Sequence, residues 1–305
     1  MLCFQSLAKQ PAHFVNFTGL TVAEAQKLIK LIKPDWHRQR KEHLKIDRIR
    51  KAGVGRKLDL PDFADRLLVF LVYAKIYPTY LFLEYLFNID QSNICRIIRE
   101  IAPLLSSSIV INRNHKRVRT LEDLREAIPD LDEVLIDATE QRINRPEKKR
   151  LRKKHQSGKK KDFTIKEQIV TTRKKIILHV ADSSPGRIHD YKYFKTTKVG
   201  NWLEKNPQIK AMADLGYQGA NKDYPRADIV LPFKRNRWKK ELTRSEKIMN
   251  TKKAKARMPV ENNLANLKKF KILSDKYRNL KKHYSAIFKS VCFLSNLRTL
   301  ERLPV

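Results

Sequence analysis

Acidic residues are scarce in this chain. Its 305 residues carry 32 Asp plus Glu against 66 Lys plus Arg, a formal net charge of +34. That excess exceeds what solubility requires, so an anionic partner must offset it. Nucleic acid is the leading candidate, because phosphate neutralisation rewards many dispersed cations, and an anionic membrane surface is the weaker alternative. Cysteine is also sparse. Cys3, Cys95 and Cys292 lie far apart and form no Cys-x-x-Cys pair, which speaks against a zinc site or a disulfide framework and points to a reducing, intracellular setting. Long apolar runs are missing too: the longest, Leu67 to Ala74, has eight residues before Lys75, far short of the ~20 a membrane span needs. The N-terminus, MLCFQSLAKQ, lacks the basic-then-apolar form of a secretory signal. At 41% hydrophobic content the chain can still bury real cores.

The first 125 or so residues read as helical. Thr21 and Glu24 have the spacing of a capping box ahead of VAEAQKLIKLI, which Pro34 is expected to close. Asp62 to Ile76 forms a further apolar-periodic helix. TYLFLEYLF, the turn NID with Asp90 as N-cap, and QSNICRIIREI then read as helix, tight turn, helix. Ile94, Ile97, Ile98 and Ile101 share one face, which turns Gln91, Ser92, Asn93 and Arg96 outward, where a recognition helix meets bases and phosphates. An ordinary helical hairpin fits the same pattern.

After Pro129 the period changes. EVLIDAT, FTIKEQIVT and KKIILHVADS are successive β-branched runs, followed by a helical stretch from Asp190 to Lys205, a strand IKAMAD and a strand DIVLP. Helix returns from Leu242. This order predicts an α/β domain with a mixed sheet. Between the first two runs, Lys148 to Lys161 holds nine Lys or Arg and no acid, a basic loop or hairpin arm suited to phosphate. His155, His179 and His283 are scattered and read as core or surface residues. Trp202 reads as core, and Trp238 in KRNRWKK as a residue that stacks on a base or sugar.

Against this basic background three acids stand out. Asp137 is expected to close the strand EVLI, Asp214 to end IKAMAD before LGYQG, and Glu261 to open a helix just after Pro259. Each alone could be a turn residue or a cap. Together they can supply the oxygen cage that hard divalent cations take, and such pairs of ions commonly run phosphoryl transfer on nucleic acid.

The segments LIDATEQRINRP, SGKKKDFTIKEQIV, SSPGRIHDYKYF, ADLGYQG and ARMPVENNLANLKKFKIL resemble the DDE transposases of bacterial insertion sequences, in the broad group numbered four and five, from about Gly53 to the C-terminus. That family carries Tyr, Arg, Glu and Lys separated by two, three and six residues; here Arg257, Glu261 and Lys268 hold the last three places, and Ala254 stands at the tyrosine's. Ala138 follows the first acid where the family often has Gly. The resemblance implies a ribonuclease H-like catalytic core over 126–305, a mixed sheet flanked by helices. It is preceded by an all-α DNA-binding region over 1–125 with its helix-turn-helix near 79–101. It further implies that Asp137, Asp214 and Glu261 bind two Mg²⁺, with Mn²⁺ as a substitute, and cleave and rejoin DNA. Gln91, Ser92, Asn93, Arg96, Lys159, Lys160, Lys161, Arg257 and Lys268 would contact DNA. His189 and Asp190 match a His-Asp pair of the family and are expected to support the active site, although Asp190 equally suits the cap of the following helix. Terminal inverted repeats and target DNA are the implied partners, with a homodimer assembled on DNA, no membrane, and a cytoplasmic, nucleoid-associated location. A catalytically silent DNA-binding protein and a metal-dependent nuclease without strand transfer are the alternatives.

Overall fold

The computed structural model describes residues 1–44, 59–107, 109–110, 117–118, 121, 123–124, 128, 130–235 and 241–302. The chain divides into two compact units. One comprises Met1–Ser107, Lys269–Ser274 and Ala286–Val291; the other comprises Ser108–Lys268, Asp275–Ser285 and Cys292–Val305.

The first unit is helical: α1 (Phe4–Ala8), α2 (Pro11–Thr18), α3 (Val22–Leu44), α4 (Phe63–Ile76), α5 (Tyr80–Phe87) and α6 (Gln91–Ser106). Leu67 to Ala74 of α4 are buried without interruption, so this helix is apolar on every face and forms the core on which α2, α3 and α6 pack. One buried charge is held there: Arg66 donates through Nε to Glu100 Oε2 at 3.1 Å and through Nη1 to the Leu60 carbonyl at 3.0 Å, while Trp36 Nε1 donates to Glu100 Oε1 at 2.7 Å. The Thr21–Glu24 capping box forms as expected, with both reciprocal bonds made. Pro34, however, does not end α3, which runs on to Leu44. Pro34 is exposed, so the carbonyl it leaves unpaired reaches water, while buried Ile32 and Trp36 hold the helix on its apolar stripe to either side.

Thr79 caps α5, Asn88 ends it in the left-handed region at φ 52°, and Asp90 caps α6. Ile94, Ile97, Ile98 and Ile101 are all buried. Helix, tight turn and helix are therefore present, with the predicted stripe inward.

The second unit is α/β. A ribbon of β1 (Ile109–Val110) and β2 (Arg117–Val118) precedes a mixed sheet of β3 (Glu133–Arg142), β4 (Gln156–Ser157), β5 (Asp162–Thr171), β6 (Ile177–Val180), β7 (Ser184–Pro185), β8 (Lys210–Met212) and β9 (Ile229–Val230). The strand order is β4-β5-β3-β8-β9, with β6 and β7 also on β5. β3 lies antiparallel to β5 and parallel to β8. The unit's helices include α7 (Lys149–His155), α8 (Asp190–Thr196), α9 (Val199–Lys205), α10 (Ala220–Asp223) and α11 (Arg244–Leu267), and α11 packs on β3. Later in the chain, α12 (Lys271–Ser274) belongs to the first unit, and α13 (Tyr284–Arg302) contributes residues to both.

Several boundaries differ from expectation. The basic run begins as a helix, α7, and then enters the expected hairpin, β4 pairing antiparallel with β5 across the turn at 158–161; His155 is buried with Nδ1 bonded to the Thr164 carbonyl at 2.8 Å and so pins α7 to β5. The stretch from Asp190 to Lys205 breaks at Thr197 and Lys198 into α8 and α9. β3 does not stop at Asp137 but continues to Arg142, since β5 supplies ladder partners from Leu135 to Arg142. Glu261 does not open a helix: α11 starts at Arg244 and passes through Pro259, carried by buried Arg257, Val260, Asn263 and Leu264 on its inner face. Trp202 is core. Trp238 lies outside the described residues.

Candidate active site

Strand register brings the first two acids together. Leu135 of β3 is the parallel partner of Met212 of β8, and Asp137 and Asp214 each stand two residues further on. Asp137, midway along β3, and Asp214, just past the end of β8, therefore lie together where the parallel pairing of the two strands ends. Asp137 Oδ1 accepts the Ala138 N–H at 2.8 Å, and Oδ2 faces Arg257 Nη2 at 3.8 Å. Asp214 caps a short 3₁₀ turn, its Oδ1 accepting the Gly216 N–H at 2.7 Å.

Asp190 completes the cluster. A Cβ placed on Gly216 would sit 2.8 Å from Asp214 Oδ1 and 2.9 Å from Asp190 Oδ2, so the two carboxylates close around a glycine that no other residue could replace without moving them. Asp190 is the first residue of α8, with His189 in the cap position making no side-chain cap bond. It lies in the first turn of the helix and not at its cap position. Its Oδ1 receives Lys166 Nζ at 2.6 Å. Lys166 in turn pairs across the ladder with Glu140 at 3.5 Å and donates to the Ile188 carbonyl at 2.7 Å. Below them Tyr217 is fully buried, its hydroxyl accepting from Gln168 Nε2 at 3.1 Å.

The electrostatics follow from this crowding. The Asp137 carboxyl is pushed up to about 6, chiefly by burial and further by Asp214 and Asp190, with the Ala138 N–H and Arg257 opposing. Burial lifts the Tyr217 hydroxyl well above the usual range, and the three aspartates add to it. Lys268, the C-cap of α11, is held below the ordinary lysine range by burial, with Lys160 and Lys159 pushing the same way and Asp137 opposing. Lys159, Lys160 and Lys268 thus share one field with Asp137. Lys161, exposed, adopts φ 50° at the end of the same turn. Glu261 stands on α11 one turn beyond Arg257, exposed where Arg257 is buried. Among the described residues no three His, Cys, Asp or Glu side chains converge tightly enough to hold a metal ion.

In the helical unit, Gln91, Ser92 and Arg96 are exposed and Asn93 is half-buried. Ser92 is occupied locally, its N–H donating to Asp90 Oδ1 at 2.7 Å. The Asn93 amide donates to Asp59 and its Oδ1 accepts Arg96 Nη1 at 2.8 Å. Asn93 is therefore a brace for Arg96, and Gln91 and Arg96 are the side chains that reach outward. Lys166 and Glu140 were missed in the sequence; the available signal was a charged pair set within two β-branched runs.

The sequence pattern of the DDE superfamily endonuclease matches residues 136–296, and that of the helix-turn-helix of DDE superfamily endonuclease matches residues 59–110. The chain belongs to the DDE superfamily endonucleases. It is also 31% identical over 237 residues to a probable transposase for insertion sequence element IS702 from Microchaete diplosiphon, covering 77% of this chain and 80% of that one. No solved structure matches it. In this DDE endonuclease the matched catalytic region holds Asp137, Asp190, Asp214, Glu261 and Lys268, and the matched helix-turn-helix spans α4 to α6.

Proposed function

We propose that this DDE endonuclease is a transposase: it binds the ends of its insertion sequence, cleaves a phosphodiester there and joins the freed 3′-hydroxyl to target DNA. The observation that carries the reading is the juxtaposition of Asp137 and Asp214 where the parallel pairing of β3 and β8 ends, with Arg257 in range of the first acid. Residues 126–305 would form a ribonuclease H-like catalytic domain and residues 1–125 the DNA-binding region.

DDE superfamily endonucleases use divalent metal ions. The donor chemistry fits: all candidates are hard carboxylate oxygens, and the half-buried Asp137 carboxyl, crowded by like charge, is the kind of group a divalent cation offsets. Asp137, Asp214 and Glu261 would hold two Mg²⁺, or Mn²⁺ in their place. When bound, such ions activate water and stabilise the attacking and leaving oxygens of phosphoryl transfer. Arg257 and Lys268 bind the phosphate beside the cut bond, with charge-assisted hydrogen bonds that need no proton transfer. Lys159, Lys160 and Lys161 neutralise flanking phosphates. Gln91 and Arg96 contact the element end directly, Ser92 and Asn93 hold the helix start in register, and Asp190 with His189 supports the acid pair. Joining two ends needs two active sites, hence a homodimer on DNA, in the cytoplasm and associated with the nucleoid. Among the described residues no helix is long and apolar enough to cross a membrane.

The test is cleavage of labelled DNA carrying the element's ends, with Mg²⁺ or EDTA, by the wild type and by Asp137→Ala, Asp214→Ala and Glu261→Ala. Metal-dependent cutting that each substitution abolishes, with binding retained, supports the reading. A wild type that binds the ends and never cuts would make it a silent DNA-binding protein. Cutting without joining would make it a nuclease alone.

A further inference from the structure

The basic run at α7 lines a cleft that extends to His189, the residue before Asp190 of the acid cluster. The cleft has a volume of ≈ 650 Å³. Arg150, Lys153 and Lys154 of α7 line one side; Arg187, His189 and Lys192, from the loop after β7 and the first turn of α8, line the other. No acid lines it, and Pro185 and Ile188 supply an apolar floor.

The two walls are tied together. The Arg187 backbone N–H donates to the Lys154 carbonyl at 3.3 Å and its Nη1 to the Lys153 carbonyl at 3.4 Å. The cleft is also tied to the acids: Lys166 Nζ donates to the Ile188 carbonyl in the floor and pairs with Asp190 beside Asp214. His189 lines the cleft, and the next residue is part of the acid cluster.

We propose that this cleft binds the sugar–phosphate backbone of a single DNA strand running to or from the acid site. Its size matches a small-ligand site, enough to seat a few nucleotides of one strand. Cations dispersed over two elements suit successive phosphates, and the apolar floor suits sugar faces, the combination that serves sequence-independent single-strand binding. The inference rests on the reading that the acid cluster cuts DNA.

The experiment measures binding of the full chain, in EDTA, to a fluorescent twenty-residue oligothymidylate across a salt series. The cleft variant is Arg187→Gln/Lys192→Gln. The control, Lys205→Gln/Lys210→Gln, removes the same charge at two exposed lysines that do not line the cleft. Lys192→Gln alone, at an exposed position, covers the case in which the double variant fails to fold. The cleft variant is expected to bind about tenfold more weakly at low salt. Its salt slope should shrink by roughly 1.4, about 0.7 per lost phosphate contact on a single strand, and by half that for Lys192→Gln, while the control keeps the wild-type slope. Equal losses in cleft and control variants, or none in either, overturn the proposal. Cutting by the wild type is scored separately with Mg²⁺, so a failure to cut sinks the transposase reading without touching the binding result.

Discussion

Lys166 Nζ lies 2.6 Å from Asp190 Oδ1 and 3.5 Å from Glu140 Oε1, with its side chain almost wholly buried. A buried ammonium is tolerable only when fully compensated, and here two carboxylates and a backbone carbonyl do so. Removing it would leave Asp190 and Glu140 uncompensated next to Asp214. Lys166→Met is expected to cost about 3–5 kcal/mol in urea unfolding, and Lys166→Arg to recover part of that. A Met variant as stable as wild type would mean that the pair contributes nothing to the fold.

Asp137 ties stability to pH. Its folded-state carboxyl sits near 6 against an ordinary 3.8, mainly through burial. Ionisation therefore disfavours the folded state: the protonated group's contribution is complete below about 3.8 and is lost as pH rises through about 6. Asp137→Asn should raise the melting temperature at pH 7.5 in EDTA, by up to about 3 kcal/mol of stability. The gain should shrink toward pH 4. A variant less stable than wild type at pH 7.5 would contradict the burial argument.

Asn296 of α13 clamps the edge of the sheet. Its Oδ1 accepts the Ile177 N–H at 2.8 Å and its Nδ2 donates to the Ile177 carbonyl at 2.7 Å, as a neighbouring strand would. Asn296→Ala orphans both buried groups and should cost about 3 kcal/mol, read as a lower midpoint in chemical denaturation. An unchanged midpoint would show that water replaces the clamp.

Gln91 and Arg96 separate two kinds of DNA contact. Gln91→Ala should weaken binding to the element's own ends by about 1–3 kcal/mol and leave unrelated duplex untouched. Arg96→Gln should weaken both. Asn93→Ala should resemble a mild Arg96 variant, because Asn93 acts by holding Arg96. Equal losses on all duplexes for Gln91→Ala would remove it from base recognition.

Local signals located most elements. The Thr21–Glu24 box, the Asp90 cap and the isoleucine stripe each involve residues within one helical turn, so spacing alone predicts them. Prolines misled for the same reason: Pro34 and Pro259 break helices in isolation, yet buried residues on either side of each carry α3 and α11 through. Asp137 looked like a strand end because β3's own sequence turns polar there, whereas the ladder to β5 keeps the strand going.

The amino-acid sequence by itself determined the strong positive charge, the two helices around the Asp90 turn and the identity of the candidate acids, because charge, periodicity and spacing are properties of the chain. Only tertiary structure decided which acids meet. The parallel register of β3 and β8 set Asp137 beside Asp214, and a buried lysine on β5 drew Asp190 in to them, while Glu261 was left exposed on α11. Those placements depend on pairing between segments tens of residues apart, for which no local pattern carries the energy.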